Sequence, residues 1–483
     1  MAIYEMGPGA AAIEYFVVNW MLEKIGWTPA PLEPGRWTEG TFGGGVLTHG
    51  GSLANLTALI AARSAVRPDA WRQGNPGDLA VMVSGTHHYR IERAVGILGL
   101  GTRNLYDVPT DARGAMDPRA LPPTLARLRA DGKTPLALVA NACSTAVGVY
   151  DRLRPLGEFC RDRDLWFHVD GAHGAAALLS PAYRHRLDGV ELASSLTWDA
   201  HKMMRTSSVC AALLVRDHRT LDAAFQQEAS YLFHDKEQPG FDFLHRAVEC
   251  TKSGLGLRFY WVLAALGEEG LARYVERQYR LAARAYDDLQ GLGWVETPVA
   301  PESNILCFRV RGSDARQLDL RKRILAAGDF YLTSTQFQDR RYLRLVFMNP
   351  DTTLDDVERL TEQIRRFGTD GPIAWREIEE HRQEGSEASK CCGDLPPSLL
   401  STPSAYPTTC EIVAVSAGFD RRERDWGGLL ATPGREDYRA IGESVEEHAR
   451  LRCQGRRFGV LEGGYNHAVL GRNVESFLQG SSD

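Results

Sequence analysis

Between residues 79 and 215 the chain alternates short apolar runs with segments whose apolar residues recur at helical spacing. This alternation predicts β-strands joined by α-helices, which is the pattern of a mostly parallel sheet covered on both faces. Strands are predicted near 79–84, 105, 136–142, 166–170 and 209–215, and helices near 87–98, 118–129 and 153–161. We therefore expect an α/β fold, and 483 residues are enough for two or three domains.

Two of the predicted strands are followed by residues that can carry chemistry. The run Leu165-Trp-Phe-His-Val-Asp170 ends on a histidine and a carboxylate, and Lys202 follows a later strand-like run. A carboxylate at the C-terminal end of a strand in an α/β sheet points into the ligand crevice. A lysine that can form a Schiff base, with an aspartate for the pyridinium nitrogen, is the minimum protein equipment for pyridoxal phosphate.

A glycine-rich stretch, 42–52, leads into an apolar segment, 53–63. The pattern predicts a glycine-rich turn that feeds a helix, and backbone N–H groups at such a helix start can approach a phosphate. The alternative is an ordinary glycine-rich loop with a helix cap, because short motifs of this kind often occur without a ligand.

Charge and cysteine usage exclude several classes of partner. A net charge of −6 and a sequence pI near 6.1 give no reason to expect a nucleic acid or an anionic membrane. The N-terminus has no basic segment before an apolar stretch, and no run approaches the roughly 18 apolar residues of a membrane helix. The nine cysteines are scattered and form no CxxC pair, so we expect reduced thiols in a soluble, cytoplasmic protein.

The remainder of the chain changes character twice. A long helix is predicted over 255–289, then strands near 303–310, 330–335 and 342–347 with helices near 315–327 and 354–367, the last capped by Thr353 and Asp356. Charged and Pro/Ser-rich sequence follows, and apolar runs return near 411–420 and 457–461. Five segments are predicted: an N-terminal helical segment (1–30), a large cofactor-binding domain (31–289), a small α+β domain (290–368), a linker (369–409) and a tail (410–483).

Residues 1 to about 368 resemble the group II pyridoxal-phosphate amino-acid decarboxylases. The resemblance rests on eight motifs in the same order: Tyr4-Glu-Met6, Gly50-Gly-Ser-Leu-Ala-Asn55, His88-Tyr-Arg-Ile-Glu-Arg-Ala94, Ser144-Thr145, His168-Val-Asp-Gly-Ala172, Thr197-Trp-Asp-Ala-His-Lys202, Tyr231-Leu-Phe233 and Leu343-Arg-Leu-Val-Phe-Met-Asn-Pro350. It implies the aspartate aminotransferase-like fold type I and pyridoxal 5'-phosphate as cofactor. It also implies a homodimer, because active sites in the family lie at a subunit interface.

The resemblance implies a role for each residue around the cofactor. Lys202 would bond to the cofactor and Asp170 would hold its pyridine nitrogen. The ring would lie between His88 and Ala172. The remaining cofactor contacts would come from Gly51, Ser52 and His201 at the phosphate and Thr145 near an oxygen.

Two further residues bear on the reaction and the substrate. Tyr231 matches a family tyrosine on a loop that returns a proton to Cα after CO2 leaves, which favours simple decarboxylation. Arg344 matches an arginine that binds a substrate carboxylate, so an acidic substrate such as glutamate, aspartate or cysteine sulfinate is expected. An ordinary loop aromatic and a structural ion pair are the alternatives.

The chain departs from the family in two places. The segment that normally precedes Tyr4 is absent from this sequence, and Thr251-Lys252 stands where relatives tend to have Gly-Arg. Either change could weaken binding or activity. The alternatives to an acidic-substrate enzyme are therefore a decarboxylase of diamino or aromatic acids and an inactive, cofactor-binding scaffold.

The tail, over 410–478, resembles the C-terminal end of the zinc-dependent histone deacetylase and acetylpolyamine amidohydrolase fold. Ser416-Ala-Gly-Phe-Asp420, Asp425-Trp-Gly-Gly-Leu429 and Leu461-Glu-Gly-Gly-Tyr-Asn466 carry the resemblance. It implies a zinc ligand at Asp420 and a catalytic tyrosine at Tyr465. A catalytic zinc needs three protein ligands, and the tail offers one, Asp420. We therefore expect no metal, and a zinc amidohydrolase is the least favoured function. The tail is expected to be a partial deacetylase-like α/β unit.

Overall fold

The computed structural model describes residues 3–31, 40–227 and 242–369, together with the backbone of strands 413–418 and 457–462. The chain forms two compact units, Met1–Pro372 and Ile373–Asp483. The predicted large domain and small domain both fall in the first unit, and the boundary between them stays a prediction.

Regular structure in the first unit alternates as the sequence pattern predicts. Its described helices are α1 (Pro8–Ile25), α2 (Gly51–Val66), α3 (Ala70–Gln73), α4 (Tyr89–Ile97), α5 (Leu121–Ala130), α6 (Leu153–Arg161), α7 (Arg219–Asp222), α8 (Leu255–Gln290), α9 (Asp314–Ala327) and α10 (Leu354–Thr369). Its described strands are β1 (Gly44–Thr48), β2 (Leu79–Ser84), β3 (Leu105–Val108), β4 (Thr134–Asn141), β5 (Phe167–Asp170), β6 (Ser195–Asp199), β7 (Ala211–Val215), β8 (Val295–Glu296), β9 (Ile305–Val310), β10 (Thr333–Phe337) and β11 (Arg340–Val346).

The main sheet has seven strands in the order β1-β7-β6-β5-β4-β2-β3. Neighbours from β6 through β3 pair in parallel, whereas β7 runs antiparallel to both β6 and β1. Met82 and Leu138 pack into one apolar cluster, and Val81 and Val139 of the same strands pack into another. Both faces are therefore covered, which confirms the predicted mostly parallel α/β sheet and explains the continuous apolar runs.

The glycine-rich stretch corrects one prediction, because part of it is a strand rather than a turn. Gly44–Thr48 forms β1, which pairs with β7 from Gly44 opposite Val215 to Thr48 opposite Ala211. A Cβ on Gly45 would lie 2.8 Å from the Leu213 carbonyl oxygen and 3.0 Å from Val18 of α1. Glycine is needed here because two elements approach the backbone closely, and the turn follows only at Gly50.

The second sheet follows α8, a 36-residue helix that bends at Gly267. Its strands are antiparallel and lie in the order β10-β11-β9-β8, and α9 and α10 accompany them. The predicted cap of α10 is confirmed: the Thr353 N–H donates to Asp356 Oδ2 at 2.8 Å, and the Asp356 N–H donates to Thr353 Oγ1 at 3.3 Å. The two-residue strand β8 was not predicted.

In the second unit, β12 (Val413–Gly418) and β13 (Arg457–Glu462) pair in parallel, from Val413 opposite Arg457 to Gly418 opposite Glu462. Both strands lie where apolar runs predict them. Across the described residues of the chain, no helix combines the length and the apolar character needed to span a bilayer.

Candidate active site

Two neighbouring parallel strands, β5 and β6, end on carboxylates. Asp170 is the last residue of β5 and Asp199 is the last residue of β6, and both side chains are buried. The Asp199 N–H donates to the Ala172 carbonyl at 3.2 Å, which joins the two strand ends. The carboxyl edge of the sheet, where ligands bind in α/β folds, therefore carries two negative charges side by side.

Lys202 lies in the turn directly after β6. Its Nζ is 2.8 Å from Oδ2 of Asp199, and the side chain of Asp199 is only 2% exposed. The Lys202 side chain is itself 22% exposed, so its amine lies at the border between the buried carboxylates and solvent. A reactive amine in this position can be reached by a small aldehyde.

Asp170 is held in its ionised form by neighbouring cations. Burial acts to raise the pKa of its carboxyl, but the positive charges of Arg90 and Lys202 act against burial, and the pKa is lowered. Arg90 Nε is 3.6 Å from Asp170 Oδ2, and the Ala172 N–H donates to Oδ1 at 3.3 Å. A buried carboxylate that stays charged can hold a protonated ring nitrogen, because opposite charges favour the charged form of each.

His88 occupies the N-cap position of α4. Its Nδ1 accepts a hydrogen bond from the Arg90 N–H at 3.0 Å, so that nitrogen carries no proton. Burial is the main cause that lowers the pKa of His88 to about 4, and Arg90 and Lys202 add to it. His88 is therefore a neutral ring at pH 7, and a neutral aromatic face is suited to stacking on another ring.

The turn from β1 into α2 brings backbone N–H groups to the same edge. Gly50 has a φ of +98°, which favours glycine, and Gly51 begins the 16-residue helix. A Cβ on Gly51 would lie 2.4 Å from Arg90 Nη1 and 2.5 Å from Asp199 Oδ1, so no side chain fits there. Ser52 follows and is exposed. The N-terminus of α2 therefore lies next to Asp199, the ion-pair partner of Lys202. The free backbone N–H groups of a helix N-terminus are suited to binding a phosphate.

His168 is fully buried and links the sheet to α2. Its Nδ1 is 2.8 Å from Ser195 Oγ and its Nε2 is 2.8 Å from Asn55 Oδ1. Asn55 Nδ2 in turn donates to the Gly51 carbonyl at 2.7 Å, and Trp166 Nε1 donates to Ser195 Oγ at 3.0 Å. With Asn55 Oδ1 as an acceptor and Ser195 Oγ already accepting from Trp166, the His168 ring carries one proton, on Nε2. Burial lowers the pKa of His168 to about 4. The neutral ring thus holds the first turn of α2 against β5.

The other predicted residues lie around this centre. His201 Nδ1 is 2.8 Å from the Cys210 carbonyl oxygen, and its Nε2 is 3.9 Å from Asp199 Oδ2. Arg344, on β11, donates from Nε to the Thr145 carbonyl at 2.8 Å. Burial lowers the pKa of His173 to about 3, and the positive charges of Lys202 and Arg344 act in the same direction.

Some predicted residues lie outside the described part of the chain, and two contributors were not predicted. Tyr231, Asp420 and Tyr465 are outside the described residues. Arg90 and Asp199 stand within the quoted motifs, but neither was given a role. The only signal for them in the sequence was that each is a charged residue inside a motif with a histidine.

The residues present fit a phosphorylated aldehyde cofactor. Several polar atoms at this edge are buried and have no hydrogen-bond partner among the described residues: Arg90 Nε and Nη1, Asp199 Oδ1, and Thr197 Oγ1. A helix start, an arginine with unpartnered N–H groups and a reachable lysine amine supply what the phosphate and the aldehyde need. Among the described residues, no group of three or more His, Cys, Asp and Glu side chains is arranged to hold a metal ion.

Comparisons with known proteins identify a family and its relatives. The family model described as the pyridoxal-dependent decarboxylase conserved domain matches residues 1–311. The acidic amino acid decarboxylase GADL1 of Xenopus tropicalis is 28% identical over 388 residues, which cover 76% of this chain and 73% of that protein. GADL1 of Homo sapiens is also 28% identical, with 76% and 72% covered.

Solved structures agree in fold. Mouse CSAD has a TM-score of 0.70 at 27% identity, with 77% of this chain and 78% of that chain covered. Oryza sativa TDC, crystallised with PLP and tryptamine, has a TM-score of 0.69 at 25% identity, with 76% and 77% covered.

Proposed function

The chain belongs to the pyridoxal-dependent decarboxylase family, and from that premise we propose that it removes the α-carboxylate of an acidic L-amino acid as CO2. The observation that carries the proposal is the group formed by Lys202, Asp199 and Asp170 at the ends of two parallel strands. The similarity to GADL1, which is named an acidic amino acid decarboxylase, supports the choice of substrate.

When bound, pyridoxal 5'-phosphate supplies an electron sink for the charge left on Cα after CO2 departs. Lys202 would hold the cofactor through Nζ. Asp170 would keep the ring nitrogen protonated, because its own carboxyl stays ionised. His88 and Ala172 would flank the ring, and Gly51, Ser52 and His201 would contact the phosphate.

Two proposed roles concern the substrate itself. Arg344 would bind the side-chain carboxylate of the substrate, and Thr145, whose carbonyl accepts from Arg344, would lie near the cofactor oxygen. A permanent guanidinium charge suits a carboxylate ligand. Tyr231 would return the proton to Cα, a role that rests on the sequence resemblance.

A decarboxylase of diamino or aromatic acids is the second candidate. Its support is the similarity in fold to the Oryza sativa TDC crystallised with tryptamine, at 25% identity. An inactive, cofactor-binding scaffold is the third candidate. Because all three candidates bind the same cofactor, only the products distinguish them.

We also propose a homodimer in the cytoplasm. Phe16 on α1 and Trp261 on α8 are both exposed apolar residues, and Phe16 packs edge-on to Tyr260 with ring centroids 6.0 Å apart. Large apolar side chains that share one surface are typical of subunit contacts. Light scattering should show a dimer that Trp261→Glu dissociates and that Tyr331→Glu, an exposed residue near the second sheet, leaves intact.

For residues 290–368 we propose a small α+β domain, and for residues 410–478 a partial deacetylase-like tail. The antiparallel sheet of β8 to β11 supports the first proposal, and the parallel pair of β12 and β13 is compatible with the second. Stoichiometric zinc in the purified protein would favour an amidohydrolase function of the tail, and we expect to find none.

The function is tested by the absorption spectrum of the purified protein with pyridoxal phosphate, followed by CO2 release from single amino acids. The panel holds glutamate, aspartate, cysteine sulfinate, diaminobutyrate, tryptophan and tyrosine. Release from the acidic substrates alone is expected. Release only from tryptophan and tyrosine, or only from diaminobutyrate, would establish the second candidate. A cofactor absorption band without CO2 from any acid would establish the scaffold.

A further inference from the structure

Arg90 is a buried cation at the start of α4, and two of its guanidinium nitrogens have no hydrogen-bond acceptor among the described residues. The side chain is 7% exposed, and neither Nε nor Nη1 has a hydrogen-bond partner among the described residues. Nε lies 3.6 Å from Asp170 Oδ2 and Nη1 lies 3.8 Å from Asp199 Oδ2, both beyond hydrogen-bond range. Buried donors of a charged group are costly to leave unpaired, so an acceptor from a ligand is the expected partner.

The same guanidinium lies against the first residue of α2. The position that a Cβ on Gly51 would take is 2.4 Å from Arg90 Nη1 and 2.5 Å from Asp199 Oδ1. Asp199 Oδ1 is buried and has no hydrogen-bond partner among the described residues. A cation with free donors thus meets the N-terminus of a long helix, where the helix dipole and N–H groups favour an anion.

Asp199 by itself would repel an anion at this place. Lys202 Nζ offsets that charge at 2.8 Å, but the same nitrogen is the proposed attachment point of the cofactor and would be less available to Asp199 when the cofactor is bound. Arg90 carries a permanent charge and remains next to Asp199 in either case.

We propose that Arg90 binds the phosphate of the cofactor, with Nη1 donating to a phosphate oxygen at the start of α2 while the guanidinium offsets the charge of Asp199. The proposal rests on the proposed function and adds to its phosphate contacts a residue to which the sequence resemblance gave no role. Because Asp170, beside Arg90, faces the ring nitrogen of any pyridoxal ligand, loss of Arg90 should weaken ligands with a phosphate more than those without it.

The test is equilibrium binding of pyridoxal 5'-phosphate, and of pyridoxal without phosphate, to the cofactor-free enzyme. Fluorescence quenching and absorbance follow binding without turnover. Arg90→Gln should weaken pyridoxal-phosphate binding roughly 10- to 100-fold more than it weakens pyridoxal binding, because the lost charged hydrogen bond is to the phosphate, whereas the effect through Asp170 is common to both ligands. The affinity of Arg90→Lys for pyridoxal phosphate should lie between those of wild type and Arg90→Gln. A lysine keeps the positive charge but lacks the planar set of N–H donors of a guanidinium.

Arg93→Gln is the matched control on the same helix. Arg93 is exposed and stacks on Tyr89, and its loss should change neither affinity. Equal weakening of both ligands by Arg90→Gln, or no weakening of either, would overturn the proposal. If Arg90→Gln does not fold, as judged by circular dichroism, the ratio of the two affinities in Arg90→Lys decides in the same way. A wild-type protein that binds neither ligand contradicts the proposed function instead.

Discussion

Lys202 Nζ lies 2.8 Å from Oδ2 of Asp199, three residues earlier in the chain and almost wholly buried. The pair joins the end of β6 to the turn that follows it. Because the ammonium is ion-paired with the carboxylate, the lysine amine is held at the carboxyl edge of the sheet instead of extending into solvent. The proposed attachment point for the cofactor is thus oriented before a cofactor binds.

Replacing Lys202 by alanine removes the amine that would bond to the cofactor. We expect Lys202→Ala to lose the absorption band of the bound cofactor and to release CO2 at the rate of the blank. Lys133→Ala is the control, since Lys133 precedes β4 at the opposite edge of the sheet and donates to the Gly77 carbonyl. CO2 release by Lys202→Ala at the wild-type rate would exclude the proposed mechanism.

Replacing Arg344 by methionine tests the substrate carboxylate. The KM for an acidic substrate should rise roughly 10- to 100-fold, because one charged hydrogen bond to the substrate is lost, while pyridoxal-phosphate binding stays unchanged. Arg341→Met is the control, as Arg341 lies on the same strand and donates to Ser334 Oγ at 3.1 Å. An unchanged KM would assign Arg344 a structural role through the Thr145 carbonyl.

His168 makes stability depend on pH. Its pKa is about 4 in the folded chain and near 6.5 when exposed, so the unfolded state binds the proton first as pH falls. The contribution of His168 to the free energy of unfolding is present above pH 6.5 and is lost as the pH drops toward 4. Between pH 7 and pH 5 the free energy of unfolding should fall by about 2 kcal/mol for this reason.

Urea unfolding of wild type and His168→Gln measures this effect of His168. The difference in unfolding free energy between them should narrow as pH falls from 7 to 5. His185→Gln removes an exposed histidine and should leave the pH dependence as it is in wild type. A difference that stays constant from pH 7 to 5 would show that His168 does not titrate in this range.

Lys252 is part of a buried ion pair. Its Nζ pairs with Glu14 of α1 and donates to the Leu47 carbonyl at 2.8 Å, and the Leu47 N–H donates to Glu14 Oε1 at 3.0 Å. Lys252→Met leaves a buried carboxylate without its cation, so unfolding free energy should fall by about 3–5 kcal/mol.

Denaturant titration measures that loss, and the double variant Glu14→Gln with Lys252→Met should recover part of it. The exposed pair of Arg273 and Glu269 is the matched control, because solvent screens it, and Arg273→Met should change stability little. A loss in Lys252→Met no larger than in Arg273→Met would show that the buried pair does not stabilise the fold.

Local patterns in the sequence were enough for much of the fold. The strand Leu79–Ser84 and the cap formed by Thr353 and Asp356 lie where apolar periodicity and capping chemistry predict them. These features depend on residues within a few positions of one another, so the sequence alone carries their signal.

Strand β1 was missed because glycine carries no side-chain pattern. What makes Gly44–Thr48 a strand is its pairing with Ala211–Val215, far along the chain, and the close approach of Val18 to Gly45. Neither contact is visible in a local window.

The sequence by itself determined the alternating α/β architecture, the strand that ends on Asp170 and the lysine that follows the next strand, because each depends on short-range periodicity and motif order. Only the tertiary structure decided that Arg90, Asp199 and Gly51 meet. Their approach results from the packing of α4, β6 and α2 at one edge of the sheet. Charges interact through space over a few ångströms, whatever their separation along the chain, so a local pattern could predict the groups but not their coupling.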